Sequence, residues 1–142
     1  MESKTFIVLA GCFWGTEMLL KDHPGVTATK TVYSGGESSY APTYYTLDNT
    51  NHSEAVEISC NQDVDLKDLL RVIIEKSKDD PSPMKKPRYH RGLICETKEI
   101  RDTIARYLGE LGGYPSFNIR YPIGQVFVAE DYHQGYYERV LA

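Results

Sequence analysis

Apolar and polar positions along the chain fall into a short series of distinct periods. Phe6-Ile7-Val8-Leu9-Ala10 is a continuous apolar run, the pattern of a strand buried on both faces. From Phe13 to Asp22 the spacing turns helical, setting Trp14 with Met18 and Gly15 with Leu19 at i,i+4, and Pro24-Gly25 stops it. The exit from the first run, Thr16 to Lys21, reads as amphipathic. Val26 to Tyr33 is dense in β-branched residues and predicts a second strand, ended by Ser34-Gly35-Gly36. Ser53 to Cys60 alternates: Val56, Ile58 and Cys60 take one face, Ala55, Glu57 and Ser59 the other. Asp65 predicts the cap of a helix carrying Leu66, Leu69, Leu70 and Ile73 at i, i+3, i+4, i+7. Gly92 to Glu96 predicts a short strand. Thr97 then caps a helix with Ile100, Ile104, Leu108 and Leu111 on one stripe, closed by Gly112-Gly113. Ile119 to Ala129 predicts one last strand, bent at Pro122 and Gly124, and Asp131 opens a terminal turn.

The order is therefore β-α-β-β-α-β-α-β with a tail. One β-β step among interspersed helices predicts an α+β fold, a ferredoxin-like (split βαβ) two-layer sandwich with a mixed sheet and long loops. With 142 residues, no repeat and no linker, a single domain over 1–142 is expected. The irregular stretch 37–51 is long for so small a domain, which marks it as functional or mobile.

Composition narrows the class. Hydrophobic residues at 41% and charged residues at 25% are ordinary for a soluble globular protein. A net charge of −4 gives no general affinity for nucleic acid or anionic membrane, so the basic, proline-rich stretch from Pro81 to Arg91 reads as a solvated loop. No apolar run reaches the length of a membrane span, and no signal-peptide pattern precedes Phe6. Cys12, Cys60 and Cys95 are an odd number without a C-x-x-C pair, which favours a reducing cytoplasm over a disulfide framework. The histidines, His23, His52, His90 and His133, lack ligand partners at i+3 or i+4, so no metal site is expected. Gly11-x-x-x-Gly15 lacks the Lys-Ser/Thr that completes a phosphate loop.

The candidate chemistry gathers at Gly11-Cys12-Phe13-Trp14-Gly15. Cys12 lies in the turn from strand to helix, where unpaired N–H groups and the positive helix end stabilise a thiolate. Phe13 and Trp14, the chain's only tryptophan, stand beside it. Glu54 falls at the leading end of the apolar face of the third strand. Two readings follow: partial desolvation there favours a protonated carboxyl, which is what a general acid needs, or Glu54 lies at a frayed strand end and reaches water. A thiol, a desolvated acid and tyrosines, of which there are 11, suit reduction of a polar oxygen held on a soft atom. A hydrolase pairing Cys12 with His52 or His133 uses the same residue types.

Gly11-Cys12-Phe13-Trp14-Gly15-Thr16-Glu17 resembles the signature of the A-type peptide methionine sulfoxide reductases. Matching segments follow in order: Pro24-Gly25-Val26, Tyr33-Ser34-Gly35-Gly36, Pro42-Thr43-Tyr44, His52-Ser53-Glu54-Ala55-Val56 and Glu130-Asp131-Tyr132-His133-Gln134. The resemblance runs from Phe6 to Gln134 and is weakest between residues 78 and 118. It implies that Cys12 attacks the sulfoxide sulfur, Glu54 protonates the leaving oxygen and Tyr44 hydrogen-bonds it. Phe13 and Trp14 would wall in the substrate's S-methyl group. The implied substrate is the S epimer of methionine sulfoxide, free or in oxidised proteins, and the implied product is methionine with a sulfenic acid on Cys12. Repair of oxidised methionine under oxidative stress is the matching role.

Departures from the pattern set further expectations. Lys85-Lys86-Pro87-Arg88-Tyr89-His90-Arg91 stands where the family has Gly-Asn-Asp and then Gln-Tyr-Arg, so the second site tyrosine is Tyr89, or His90 takes its place. No tail with resolving cysteines follows the Tyr-His-Gln segment before Ala142, and Cys60 and Cys95 read as small buried apolar residues. The expected enzyme is a monomer with one working cysteine and no prosthetic cofactor. An external thiol would regenerate it, such as thioredoxin or glutaredoxin with glutathione. A non-catalytic sulfoxide-binding module of the same fold is the alternative.

Overall fold

A computed structural model describes residues 4–10, 13–35, 43, 45, 52–79, 91–112, 117–136 and 140. The elements in chain order are β1 (Lys4–Ala10), α1 (Phe13–Leu20), β2 (Val26–Gly35), β3 (His52–Cys60), α2 (Leu66–Asp79), β4 (Arg91–Cys95), α3 (Lys98–Glu110), β5 (Asn118–Arg120) and β6 (Val126–Val128), then a 3-10 turn at Asp131–His133. The strands form one sheet in the order β5-β4-β1-β3-β2-β6. All pairings are antiparallel except β4 with β5. At its centre, β3 returns between β1 and β2, which is the split βαβ arrangement that the order of periods predicts.

Burial divides the sheet by residue parity. Phe6, Val8, Val56 and Ile58 join Phe13 and Leu20 of α1, Leu70 and Ile73 of α2 and Ile104 of α3 in the main core. The three helices therefore cover one face. Ile7, Leu9, Val32, Ala55 and Ile94 form a second cluster on the other face. Both parities of β1 are buried, which is why its sequence is an unbroken apolar run. The helix starts are capped where the sequence places them. Asp65 Oδ1 accepts from the Asp68 N–H at 3.0 Å, and Thr97 Oγ1 accepts from the Ile100 N–H at 3.2 Å. No helix among the described residues is long and apolar enough to cross a membrane.

Two expectations are corrected. The single last strand over Ile119–Ala129 is two three-residue strands on opposite edges of the sheet, β5 beside β4 and β6 beside β2. Pro122 cannot donate to a ladder, and Ile123 packs on the second cluster, so the connection crosses that face instead of extending the strand. β5 lies so close to β4 that a β-carbon at Gly92 would come within 2.5 Å of the Asn118 carbonyl oxygen. The second correction concerns α1, whose stretch from Thr16 to Lys21 reads in the sequence as amphipathic but does not bury an apolar face. Its buried positions are Phe13, Thr16, Glu17 and Leu20, whereas Met18 and Leu19 are 42% and 40% exposed. Spacing cannot choose the inner face of a helix that is apolar nearly all round, and here two polar residues with waiting partners take it.

Candidate active site

The strand-turn-helix step is held from both sides. The Thr16 hydroxyl donates to the Ala10 carbonyl at 3.3 Å, folding the first turn of α1 back onto the end of β1. From α2, the Lys76 ammonium donates to the same carbonyl at 3.2 Å. α1 has no acidic residue of its own in its first turn, and the carboxyl that answers its N-terminus comes from β3. Glu54, only 1% exposed, accepts the Phe13 N–H on Oε1 at 3.1 Å. That N–H belongs to the peptide joining Cys12 to Phe13, so the acid sits one residue from the candidate nucleophile. Burial penalises the charge of this carboxyl, while the amide and the helix end favour it. Cys12, Tyr44, Tyr89 and His90 lie outside the described residues.

Aromatic side chains build the walls. Tyr33 of β2 lies opposite Glu54 on one side and opposite Phe127 of β6 on the other, so the three form a row across the helix-covered face. Tyr33 is fully buried and its hydroxyl donates to Glu130 Oε1 at 2.8 Å. Burial, reinforced by the Glu130 bond, pushes its ionisation far above the ordinary phenol range, so it stays neutral. Phe13 packs on Tyr33 at 5.8 Å and on His133 at 5.1 Å between ring centroids. The Trp14 indole is held twice: its Nε1–H donates to His133 Nδ1 at 2.9 Å, and its ring stacks on Tyr136 at 4.0 Å. His133 Nδ1 is therefore an acceptor. His52 is fully buried, edge-on to Phe127 at 5.6 Å, and burial lowers its pKa.

The terminal segment reaches this place through backbone-like bonds made by side chains. Where β6 ends, the Gln134 amide takes over the edge of β2. It accepts the Thr31 N–H at 2.8 Å and donates to the Thr31 carbonyl at 3.0 Å. A buried carboxyl thus meets the N-terminus of α1 among the rings of Phe13, Tyr33 and His133.

The family model described as peptide methionine sulfoxide reductase matches residues 4–141. The chain belongs to that family. It is 34% identical to the peptide methionine sulfoxide reductase MsrA of Methanosarcina mazei, over 98% of this chain and 70% of that protein. It is 32% identical to the MsrA of Lachnoclostridium phytofermentans, over 96% of this chain and 88% of that protein. Among solved structures, methionine sulfoxide reductase A of Corynebacterium diphtheriae superposes with a TM-score of 0.75 at 26% identity, covering 96% of this chain and 74% of that one. Reduced Mxr1 of Saccharomyces cerevisiae shares the fold, with a TM-score of 0.79 at 22% identity, covering 97% and 86%. This methionine sulfoxide reductase is accordingly an oxidoreductase, and its α+β architecture is that of its relatives.

The fold brings together three of the residues singled out from the sequence, Phe13, Trp14 and Glu54. Sequence reasoning assigned no place to Tyr33, Glu130 or Tyr136, and considered His133 only as a partner for the thiol. Tyr33 and the Glu130–Gln134 segment stood among the matching motifs, and that was the available signal. Tyr136 carried none, because its role depends on where the terminal segment turns.

Proposed function

We propose that this reductase converts the S epimer of methionine sulfoxide to methionine, with Cys12 as nucleophile and Glu54 as general acid. The observation that carries the reading is the bond from the Phe13 N–H to Glu54 Oε1, because it ties a buried acid to the peptide next to Cys12. In the reaction, Sγ of Cys12 attacks the sulfoxide sulfur and Glu54 delivers a proton to the sulfoxide oxygen. Sulfoxide oxygen is a poor leaving group until protonated. The sulfur is reduced to the thioether, and Cys12 is oxidised to a sulfenic acid that carries the oxygen. Tyr44, with Tyr89 or His90, is proposed to hold that oxygen. Phe13 and Trp14 would enclose the S-methyl group of free or protein-bound substrate.

Two equivalents of an external thiol then return the sulfenic acid to the thiol, forming water and a disulfide. Thioredoxin or glutaredoxin with glutathione supplies the right chemistry, and no prosthetic cofactor enters. The state of the other cysteines supports this. Cys60 and Cys95 are free and fully buried, and burial pushes their pKa values up to about 11 and about 12, which leaves them as unreactive thiols. Free thiols are also what a reducing compartment such as the cytoplasm maintains. A thiol hydrolase draws less support: His133 spends Nδ1 on the Trp14 indole, and His52 is packed against Phe127.

The test is reduction of each epimer of a methionine sulfoxide peptide, first with dithiothreitol and then with thioredoxin. Turnover of the S epimer with both reductants is the expected result. Absence of turnover with either epimer would leave the binding-module reading in possession, and equal turnover of both would remove the stereochemical assignment.

A further inference from the structure

One buried charge has no part in the chemistry above. Glu17 on α1 is 4% exposed, yet a carboxylate kept from water is costly unless its oxygens are occupied. Both are. Oε1 accepts the Gly135 N–H at 2.7 Å, and Oε2 accepts the Thr29 hydroxyl at 3.2 Å. Gly135 adopts φ +62°, a left-handed turn that suits glycine and aims its N–H at α1. Glu17 lies three residues after Trp14, so the two share a helix face. Onto that face come His133 and Tyr136, the two residues that hold the Trp14 indole, and Gly135 lies between them in the chain.

We infer that Glu17 is a positioning residue for sulfoxide reduction: by holding Gly135 it sets His133 and Tyr136 against Trp14, and so fixes the wall of the substrate pocket. The inference rests on the proposed role of Trp14 as that wall. Glu17 touches no reacting atom. Its bond to Gly135 is short, and it ties the turn to α1, whereas Gln134 ties the same turn to the edge of β2. Gln134 cannot substitute for it, because its amide is committed to Thr31 and Ala129 on β2 and the chain beyond β6.

Trp14 is the chain's single tryptophan, so its fluorescence reports on the clamp without any substrate. In the full-length protein, Glu17→Ala should shift the emission to longer wavelength and raise quenching by acrylamide about twofold or more. KM for a methionine sulfoxide peptide should rise roughly tenfold, the size of one lost charge-assisted bond, with kcat changed much less. Glu17→Gln keeps an acceptor for the Gly135 N–H and should stay near wild type in both readouts. Glu17→Asp retains the charge but is one methylene short of Gly135. It should behave like Glu17→Ala and serves where the alanine variant does not fold. Wild-type emission and quenching in a folded Glu17→Ala or Glu17→Asp protein would overturn the inference, as would a Glu17→Gln protein as impaired as the others. A wild type that reduces no sulfoxide would defeat the functional reading instead, and the fluorescence comparison would still decide the clamp.

Discussion

The two ends of β1 are buried by different means. Where the strand begins, Lys4 pairs with Cys60 and Phe6 lies between Ile58 and Cys95, under the apolar stripes of α2 and α3. Where it ends, the Thr16 hydroxyl and the Lys76 ammonium both donate to the Ala10 carbonyl, and buried Arg91 lies opposite Ala10 on β4. The first end is held by apolar area, which asks only for shape and volume. The second is held by directed bonds, each of which must be satisfied because an unpaired buried polar group costs free energy that area cannot return. A domain of this size tolerates such an expensive corner because the apolar end supports it. The contrast separates residues that keep the fold from residues that make the site.

Cysteine substitution tests that separation most sharply. Cys12→Ser should abolish sulfoxide reduction, a loss of roughly a thousandfold or more, since no other thiolate replaces the nucleophile. Cys60→Ser and Cys95→Ser should leave both the reductive step and recycling by thioredoxin intact, at a cost only in stability. Loss of thioredoxin-dependent recycling alone in Cys95→Ser would make Cys95 a resolving thiol and overturn the assignment of one working cysteine. Next in size is Glu54→Gln, whose amide oxygen still accepts the Phe13 N–H and so preserves the helix start. Single-turnover kinetics should show the reductive step slowed about a hundredfold, with substrate binding nearly unchanged. An effect confined to KM would contradict the acid role.

The apolar end should declare itself in alkaline solution. Burial raises both Cys60 and Cys95 above the ordinary thiol value of 9.0, to about 11 and about 12. Between those limits the unfolded chain has lost the thiol protons and the folded chain keeps them. Stability is therefore fully present below pH 9 and falls as pH rises toward the folded values, by roughly 1.4 kcal/mol per pH unit for each thiol. Urea unfolding at pH 8 and pH 10 measures the drop, and Cys95→Ala should make it shallower. Tyr33, also raised, adds to the loss at still higher pH. Smallest of all, Thr97→Ala removes the cap on the Ile100 N–H and should lower stability by about 1 kcal/mol without altering KM.

What could be read in the chain follows from periodicity. Strands and helices with one clear apolar face were legible: the Ser53–Cys60 alternation placed Glu54 inward, and Asp65 and Thr97 marked helix starts that the fold confirms. Two stretches without such a face were misread, Thr16 to Lys21 as amphipathic and Ile119 to Ala129 as one strand. α1 is apolar nearly all round, so nothing local said that Glu17 would be inside and Met18 outside. The stretch from Ile119 to Ala129 has strand-like residues throughout, and only its packing splits it between two edges of the sheet.

The same division holds for the site. The cysteine motif, two adjacent aromatics and an acid on an apolar strand face are local patterns, so the family was legible in the chain alone. The partners of those groups are remote in the chain. Glu54 meets Phe13 across 41 residues, Trp14 meets His133 across 119, and Glu17 meets Gly135 across 118. Short-range spacing carries no information about such pairs, because each is fixed by where the sheet edge and the terminal turn come to rest. Which buried polar groups meet is settled by the packing of the whole chain.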